Sequence, residues 1–551
     1  MDARFRQAVG AFQRGDLEAA LAIATGQANS TDPEWQHLLG LIECRRGNLS
    51  AGVAYLQSAS DAEPDNPAFR LMLARALVDC GRAAEVLAMP EPAALPLAAN
   101  VALWQIRAEA AARLDDATAL AQAWRSIAAA TPNDGRAWIN LGRSLLQQDA
   151  FAEAADAYRK ALALTPTNLD ALHELALLYE RTNDLQAMAD LLDSALADGI
   201  AKDRLAFAWA LLEQRLGNAQ EARRLLDLPG ADRDRTRWYR LLATAEDELG
   251  NSSAAFAATI AMNRSARGFD DWRRRGLAYR QELRDLAEAI AGWSDLPSLP
   301  PLDDPPIFLV GFPRSGTTLA DTFLMGHPEI EVLEELPLLS DVAAFLGSLR
   351  NLPRVSASSM RQARDRYLRD LAAALPTRSA RRIVDKFPLN MVAAPVIHGL
   401  FPGAPIIFVQ RHPCDCVLSG FMQAFVSNVG NASFLDIADA AEFYDACMSV
   451  WAACEAVLPL NVHTIRYESL VIDPEAELRP LMEHIGLGFD ERMLDHRKTA
   501  NARGAIPNTS YNQVVEPLSA APVLRWRRYA KELEPVLPAL LPWAERLGYE
   551  S

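Results

Sequence analysis

Turn-forming residues recur at a nearly constant interval through the first half of the sequence, and this period restricts the fold more than any other feature. Each lies between two segments whose apolar residues follow the helical period, where a tight helix–helix turn favours Gly, Asp or Asn. An ordinary helical bundle needs no fixed interval, so the period predicts an array of helix pairs. The eight positions, 32 to 34 residues apart, are Gly15, Gly47, Gly81, Asp115, Asp149, Asn183, Gly217 and Gly250.

The clearest copy is AWINLGRSLLQQDAFAEAADAYRKALALTPTNLD at residues 137–170, and a second copy begins at Trp35. Both resemble the tetratricopeptide repeat, and the resemblance covers residues 1–268 in about eight units. It implies a solenoid whose concave face holds an extended peptide or a protein partner. Supporting the next domain and self-association, for example as a homodimer, are the alternatives. The residues that carry the resemblance are Trp138, Leu141, Gly142, Ala154, Tyr158, Ala161 and Pro166.

The pattern changes after the array. Residues 269–292 still follow the helical period, and residues 294–306 are rich in proline, which indicates a connector over 269–304. Short β-rich runs separated by helical stretches follow, which predicts a parallel α/β sheet in a P-loop-like domain over residues 305–551. The predicted strands are 307–312, 382–385, 405–410 and 462–467. The fold class is therefore an all-helical solenoid followed by an α/β domain.

Charge and cysteine content narrow the function classes. The formal net charge of −16 argues against wholesale binding to nucleic acid or to anionic lipid. The six cysteines follow neither a disulfide-scaffold nor a zinc-site spacing, which favours a reducing compartment. The N-terminus has no signal-peptide pattern, and no apolar run is long enough to span a membrane. We therefore expect a cytoplasmic protein.

The sequence GFPRSGTTLA at residues 311–320 follows the apolar run 307–310 directly. A strand, a glycine-bearing loop and a helix in this order direct backbone N–H groups and the helix dipole at an anion. The lysine that a nucleoside triphosphatase places on the β- and γ-phosphates is replaced by Thr317, which disfavours ATP hydrolysis. The predicted anion cradle consists of Arg314, Ser315, Gly316, Thr317 and Thr318.

This loop resembles the 5′-phosphosulfate loop of the sulfotransferases that use 3′-phosphoadenosine-5′-phosphosulfate (PAPS). A second landmark is IIFVQRHPCDCVLSGF at 406–421, in which the family resemblance implies that Arg411 and Ser419 bind the 3′-phosphate. An arginine after a strand and a serine on the next helix form a plausible phosphate clamp. The resemblance implies PAPS as sulfuryl donor and no metal.

Two residues are predicted to act on the reacting groups. Lys386, in IVDKFPLN, falls at a strand end, and the resemblance implies that it contacts the bridging oxygen and neutralises charge on the leaving phosphate. The segment around Glu334 and Glu335 resembles that of the tyrosylprotein sulfotransferases, which implies Glu335 as general base. His327 and His412 are alternative bases. The alternative is that the glutamate pair stands at a helix start, where its interaction with the helix dipole is favourable and it has no catalytic role.

The C-terminal part of the sequence contains the remaining predicted site residues. Tyr467 matches a family tyrosine near the adenosine, and SYNQVVEPLSAAPVLRW at 510–526 resembles the last PAPS-contacting loop of the tyrosylprotein branch. In that resemblance Ser510 stands at the sulfonate, Gln513 lines the nucleotide and Arg525 replaces a lysine near the 3′-phosphate. The glycine usual in this loop is missing, and Gln423 replaces an arginine of the branch.

The sequence thus predicts a PAPS-dependent sulfotransferase that acts on a hydroxyl, with a tyrosine of a peptide or protein as one acceptor. Carbohydrate, lipid and small phenol acceptors stay open. One rival is a P-loop nucleotide kinase, which the missing lysine disfavours. The other is a repeat scaffold that carries a catalytically silent nucleotide-binding domain.

Overall fold

The computed structural model describes residues 3–26, 31–90, 95–228, 234–375, 382–425, 428–502, 517–519 and 521–550. The chain divides into two compact units, Met1–Arg215 and Leu216–Ser551. No helix in these described ranges is both long and apolar enough to cross a membrane.

The described residues of the first unit are mostly helical. Consecutive helices pack on one another, as the sequence period predicts, and a 3₁₀ turn at Lys202–Leu205 precedes the last helix. The helices are α1 (Ala3–Gln13), α2 (Leu17–Thr25), α3 (Pro33–Arg45), α4 (Leu49–Ala62), α5 (Pro67–Asp79), α6 (Ala83–Ala88), α7 (Leu97–Arg113), α8 (Ala117–Ala130), α9 (Gly135–Leu146), α10 (Phe151–Leu164), α11 (Leu169–Arg181), α12 (Leu185–Ala197) and α13 (Ala206–Arg215).

The period of turn residues has a backbone cause. All eight positions adopt positive φ, from 55° at Asp149 to 88° at Gly47, and each follows the first helix of a pair. This left-handed region is unfavourable for most side chains and accessible to Gly, Asn and Asp. The helix pairs themselves cross at small residues: a Cβ at Gly142 would lie 2.5 Å from Cε1 of the fully buried Tyr158.

The second unit begins with α14 (Ala219–Leu226), α15 (Arg235–Glu248), α16 (Ser252–Arg264) and α17 (Phe269–Ala291). The last of these is buried against the sheet domain through Leu283, Leu286 and Ile290, and Arg280 on the same helix donates a hydrogen bond of 2.8 Å to Asp439. Packing therefore joins residues 216–304 to the sheet, whereas the boundaries at 268 and 304 that the sequence indicates stay predictions.

The sheet has five parallel strands in the order β2-β3-β1-β4-β5. The four predicted strands are present within one residue of their expected ends. The edge strand β2 was not expected, and the glutamate pair lies at its carboxyl end rather than at the start of a helix. The strands are β1 (Ile307–Gly311), β2 (Ile330–Glu334), β3 (Arg382–Lys386), β4 (Pro405–Gln410) and β5 (Asn461–Arg466).

Helices cover both faces of this sheet, as a parallel sheet requires. Along β1, Phe308 and Val310 enter one hydrophobic cluster while Ile307 and Leu309 enter the other. The helices are α18 (Thr317–Met325), α19 (Leu338–Leu346), α20 (Ala357–Ala374), α21 (Ala394–Leu400), α22 (Pro413–Phe421), α23 (Ile437–Val457), α24 (Tyr467–Ile472), α25 (Pro474–His484), α26 (His496–Ala502), α27 (Ala530–Leu533) and α28 (Leu537–Arg546).

The strand order fixes where a ligand can bind. The chain leaves β1 for β2 and β3 on one side and later returns to β4 and β5 on the other. Such a reversal opens a crevice at the carboxyl ends of the strands, where open α/β sheets bind their ligands. The glycine-bearing loop after β1 lies at this point.

Candidate active site

The loop between β1 and α18 makes two left-handed turns before the helix begins. Arg314 has a φ of 71° and Gly316 a φ of 104°, and α18 starts at Thr317. Position 316 requires glycine, because a Cβ there would lie 2.3 Å from Cδ2 of Tyr467. Successive N–H groups in such a loop, at a helix N-terminus, form the concave surface with which proteins bind phosphate.

Arg314 of this loop lies close to Arg411, which follows the neighbouring strand β4. β1 and β4 are paired with Gly311 opposite Val409, so the residues that follow the two strands meet. Nη1 of Arg411 donates to the carbonyl oxygen of Arg314 at 2.9 Å, and Nε of Arg314 donates to Oγ of Ser419 at 3.1 Å. The Arg411 guanidinium also lies 4.5 Å from the ring centroid of Tyr467.

This region, called the phosphate end below, has the properties of an anion site. Burial, together with the positive charges of Arg411 and Arg525, lowers the pKa of Arg314 to about 10. Nε of Arg411 and Oγ of Ser315 are buried and have no hydrogen-bond partner within the described ranges. Buried polar groups in this state are costly, and a phosphate that accepts from both removes the cost. The residues present therefore fit a phosphate-bearing donor.

A second charged group stands at the ends of β2 and β3. Glu334 is opposite Lys386 in the parallel register, and the N–H of Glu335 donates to the Lys386 carbonyl at 2.7 Å. Nζ of Lys386 lies 2.9 Å from Oε1 of Glu335, 3.2 Å from Oδ2 of Asp321 and 3.9 Å from Oε2 of Glu334. We call these four residues the Lys386 cluster.

The Lys386 cluster combines deep burial with an excess of negative charge. Lys386 and Asp321 are fully buried, whereas the Glu335 side chain is 46% exposed. Burial lowers the pKa of Lys386, but the carboxylates of Asp321, Glu335 and Glu334 more than offset this and raise it above its ordinary value. Glu335 also has a φ of 50°, a conformation that is rare and strained for a glutamate.

A cavity of about 1020 Å³ connects the two charged groups. The phosphate loop, Arg411 and Tyr467 line it, and Glu335 lines it from the Lys386 cluster. Further lining comes from α19, from the 3₁₀ helix Pro388–Ala393 after β3 and from residues 517–519 and 522. The volume is in the range of small-molecule sites.

The comparison with known families decides what this domain is. Residues 305–491 match the family model described as the sulfotransferase family, and residues 135–168 match that of the tetratricopeptide repeat. Residues 305–491 are therefore similar to the sulfotransferase family. The repeat match overlaps the copy at 137–170 on which the repeat prediction depended.

Curated relatives cover the chain to different extents. An uncharacterised protein of Aquifex aeolicus is 24% identical over 424 residues, which are 73% of this chain and 54% of that protein. Protein-tyrosine sulfotransferase A of Caenorhabditis elegans is 26% identical over 266 residues, which are 45% of this chain and 67% of that protein. The chain thus spans about half of the first relative's length and two thirds of the second's.

Among solved structures, the sulfotransferase domain of the Synechococcus PCC 7002 olefin synthase is similar to this chain. It is 21% identical, with a TM-score of 0.31, and the match covers 42% of this chain and 91% of that domain.

The domain that contains the five-stranded sheet brings most of the predicted site residues together. Lys386 and Ser419 stand behind the cavity and contact the lining residues Glu335 and Arg314, and Ser315 lies within the loop. Ser510 and Gln513 lie outside the described residues. The predicted residues that line the cavity are Arg314, Gly316, Thr317, Thr318, Glu335, Arg411 and Tyr467.

Arg525 is held away from the described lining. Its Nη2 lies 2.8 Å from Oδ2 of Asp247 at the end of α15, and the same carboxylate also accepts hydrogen bonds from Arg528 and Tyr529. The positive charge of Arg525 still lowers the pKa of Arg314. Its contact with a 3′-phosphate stays a prediction.

The two histidines named as alternative bases have other contacts. His412 is fully buried, its Nδ1 accepts from the N–H of Cys414, and its ring stacks on Trp526 at 5.1 Å. Burial, with Arg527 and Arg411, lowers its pKa to about 4. Nε2 of His327 is hydrogen-bonded to the Gly488 carbonyl oxygen, and its Nδ1 accepts a hydrogen bond from the N–H of Glu329. Neither ring belongs to the described cavity lining.

Sequence reasoning missed Asp321, the fully buried partner of Lys386. It follows Thr317 by four positions on α18 and therefore lies one turn along the same helix face as the loop. A carboxylate on the apolar face of a helix was the available signal. Its partner Lys386 is 65 residues further along the chain, so the pairing itself could not be inferred. In the described part of the chain, no group of three or more His, Cys, Asp or Glu side chains is arranged to hold a metal ion.

Proposed function

We propose that the domain over residues 305–551 transfers the sulfuryl group of PAPS to an acceptor hydroxyl. The observation that carries this proposal is the phosphate end, where the buried Arg411 donates to the backbone carbonyls of Arg314 and Pro522, and Arg314 donates to the hydroxyl of Ser419. Nε of Arg411 and Oγ of Ser315 supply buried hydrogen-bonding groups for a phosphate. The sulfotransferase family match over 305–491 supports the same activity.

Binding of the donor is assigned to the phosphate end. The loop residues Arg314, Ser315, Gly316, Thr317 and Thr318 would hold the 5′-phosphosulfate through backbone N–H groups and hydroxyls. Arg411 and Ser419 would hold the 3′-phosphate. Tyr467 would border the adenosine, and the Arg411 guanidinium lies over its ring. Gln513 and Arg525 complete the proposed set.

Chemistry is assigned to the Lys386 cluster. Glu335 accepts the proton of the acceptor hydroxyl as its oxygen bonds to sulfur, while the S–O bond to the 5′-phosphate breaks with its electron pair on the phosphate. Lys386 stabilises the charge that develops on the leaving oxygen, and Ser510 assists at the sulfonate. The half-exposed Glu335 lines the cavity, and the buried Lys386 ammonium lies 2.9 Å behind it.

Tyrosine is the acceptor that the relatives suggest. The name of the Caenorhabditis elegans relative supports a tyrosine of a peptide or protein. The tetratricopeptide array supports a polypeptide partner on its concave face, and a homodimer is a second use of the array. Six free cysteines fit the proposed location in a reducing cytoplasm.

The test compares ligands on the whole chain. Isothermal titration of adenosine 3′,5′-bisphosphate, the desulfonated product, should give a micromolar dissociation constant, on the order of 1–10 µM, with ATP and ADP at least tenfold weaker. Equal or tighter ATP binding, with Mg²⁺-dependent turnover, would favour the kinase reading. Bisphosphate binding without transfer of ³⁵S-sulfate from labelled PAPS to any hydroxyl would favour a silent scaffold.

A further inference from the structure

Residues 522–529 form a segment at the phosphate end that we call the strap. Its first residue, Pro522, lines the cavity, and the Pro522 carbonyl oxygen accepts a hydrogen bond of 2.8 Å from Nη2 of Arg411. The strap ends in the 3₁₀ helix Arg525–Tyr529, directly before α27. Arg411 also donates to the Arg314 carbonyl, so one of these two backbone groups that orient its guanidinium belongs to the strap.

The first anchor of the strap is the carboxylate of Asp415 on α22. Its Oδ2 accepts from the N–H of Leu524 at 2.7 Å, and its Oδ1 accepts from the N–H of Trp526 at 2.8 Å. Leu524 has a φ of 55°, a left-handed conformation that is unfavourable for a leucine. The backbone of the strap is therefore strained, and contacts with the surrounding structure must hold it in this shape.

The second anchor is the carboxylate of Asp247 in the last turn of α15. Its Oδ2 lies 2.8 Å from Nη2 of Arg525. Its Oδ1 accepts from Nη2 of Arg528 at 3.0 Å and from the hydroxyl of Tyr529 at 2.6 Å. The Asp247 side chain is only 15% exposed. Loss of its charge would leave the paired arginines without their nearby counter-charge.

Asp247 also affects the charge balance of the phosphate end. It lies three residues before the turn residue Gly250, in the part of the sequence that resembles the tetratricopeptide repeat and outside the 305–491 match to the sulfotransferase family. The positive charge of Arg525 nevertheless reaches Arg314 and lowers its pKa. Because like charges repel, the two guanidinium groups are held close at a cost, and Asp247 offsets this cost at Arg525.

We propose that Asp247 is a positioning residue for donor binding: its three contacts fix the strap, and the Pro522 carbonyl of the strap fixes the Arg411 guanidinium for the 3′-phosphate. This inference rests on the proposed function, which assigns Arg411 to the donor. Asp247 is not among the described lining residues, so it acts through the strap and not by contact with the ligand. The donor site thereby extends beyond residues 305–551 to a helix of the preceding segment.

The experiment titrates the whole chain with two ligands by calorimetry. Adenosine 3′,5′-bisphosphate carries the 3′-phosphate, and adenosine 5′-phosphate lacks it. Asp247→Asn should weaken binding of the bisphosphate by roughly fivefold, because a hydrogen bond to a charged group is misaligned. Binding of adenosine 5′-phosphate should be unchanged, which also shows that the variant is folded. An unchanged affinity for the bisphosphate, or an equal loss for both ligands, would overturn the inference.

A double substitution tests whether Asp247 acts through Arg411. In the Arg411→Ala background, Asp247→Asn should cause no further loss of bisphosphate affinity, because the side chain that it positions is absent. Losses that multiply would contradict this route. Glu246→Gln is the matched control: Glu246 is the buried neighbour of Asp247 on α15 and lies 2.5 Å from Nε of Arg223. Its substitution should leave the affinity unchanged, and a loss equal to that of Asp247→Asn would assign the effect to the stability of α15.

The two levels of the account fail separately. If the wild type does not bind the bisphosphate, the proposed function fails and the role of Asp247 fails with it. If the wild type binds, and Arg411→Ala weakens binding while Asp247→Asn does not, the donor site stands and only the role of Asp247 is wrong.

Discussion

The phosphate end and the Lys386 cluster both bury positive charge, but they compensate it differently. Lys386 contacts carboxylates on three sides, so its charge is neutralised within the protein. Arg411 donates to the carbonyl oxygens of Arg314 and Pro522, which carry no full charge. Burial of an ion is costly unless an opposite charge is close. We therefore propose that an anionic ligand completes the phosphate end, whereas the charge of Lys386 is compensated within the protein and the cluster acts on protons.

The largest effect is expected on the rate of sulfuryl transfer, for a substitution in the Lys386 cluster. Glu335→Gln keeps an oxygen that can accept from Lys386 but removes the proposed base, so the rate of sulfuryl transfer should fall by about 10²- to 10⁴-fold. Single-turnover transfer of ³⁵S-sulfate measures it. Glu334→Gln is the matched control, because Glu334 lies 3.9 Å from Nζ of Lys386 and does not line the described cavity. Equal losses in both variants would contradict the role of Glu335.

A smaller effect is expected at the phosphate end. Ser419→Ala removes the hydroxyl that accepts from Nε of Arg314 and that is proposed to contact the 3′-phosphate. The affinity for adenosine 3′,5′-bisphosphate should fall by roughly tenfold, the value of a hydrogen bond to a charged group. Calorimetric titration measures the change. Ser358→Ala, on the exposed surface of α20, should leave the affinity unchanged, and an unchanged value for Ser419→Ala would remove Ser419 from the site.

The smallest effect concerns pH. The carboxylates around Lys386 raise its pKa, so the charged lysine stabilises the fold below the pKa of an unfolded lysine, and this contribution is lost as pH rises through the folded pKa. Asp321→Asn removes the nearest buried carboxylate and lowers the Lys386 pKa. Thermal stability should then be lower than in the wild type at neutral pH, because part of the ion-pair stabilisation is lost, and transfer activity should decline at a lower alkaline pH than in the wild type.

Asp385 provides the control for that profile. It is fully buried on β3 beside Lys386, but it faces the opposite side of the sheet and accepts a hydrogen bond of 2.7 Å from Tyr367. Burial raises its pKa to about 6, so it titrates on the acid side. Asp385→Asn should therefore leave the alkaline limb in place. An alkaline limb that moves equally in both variants would mean that general destabilisation, not Lys386, causes the shift.

Much of this architecture could be predicted because local chemistry dictates it. The turn residues of the array follow from the left-handed backbone that each turn adopts, and the phosphate loop follows from a strand, two glycines and a helix start. Arg411 could be placed because it directly follows a buried strand next to β1.

What the sequence did not predict depends on tertiary contact. Strand β2 is a five-residue edge strand with little pattern of its own, and it exists through its register with β3. Asp321 acquires its role only when Lys386 reaches it from another strand, and Asp247 only when the C-terminal segment packs on α15. The roles of Ser510 and Gln513 stay predictions.

The central claim is that donor binding resides in the arginines and proton transfer in the Lys386 cluster. Side-by-side calorimetric titration of wild type, Arg411→Ala and Glu335→Gln with adenosine 3′,5′-bisphosphate tests it most directly. The account predicts a loss on the order of 100-fold for Arg411→Ala and an unchanged dissociation constant for Glu335→Gln. Equal weakening in both variants, or unchanged binding in Arg411→Ala, would contradict it.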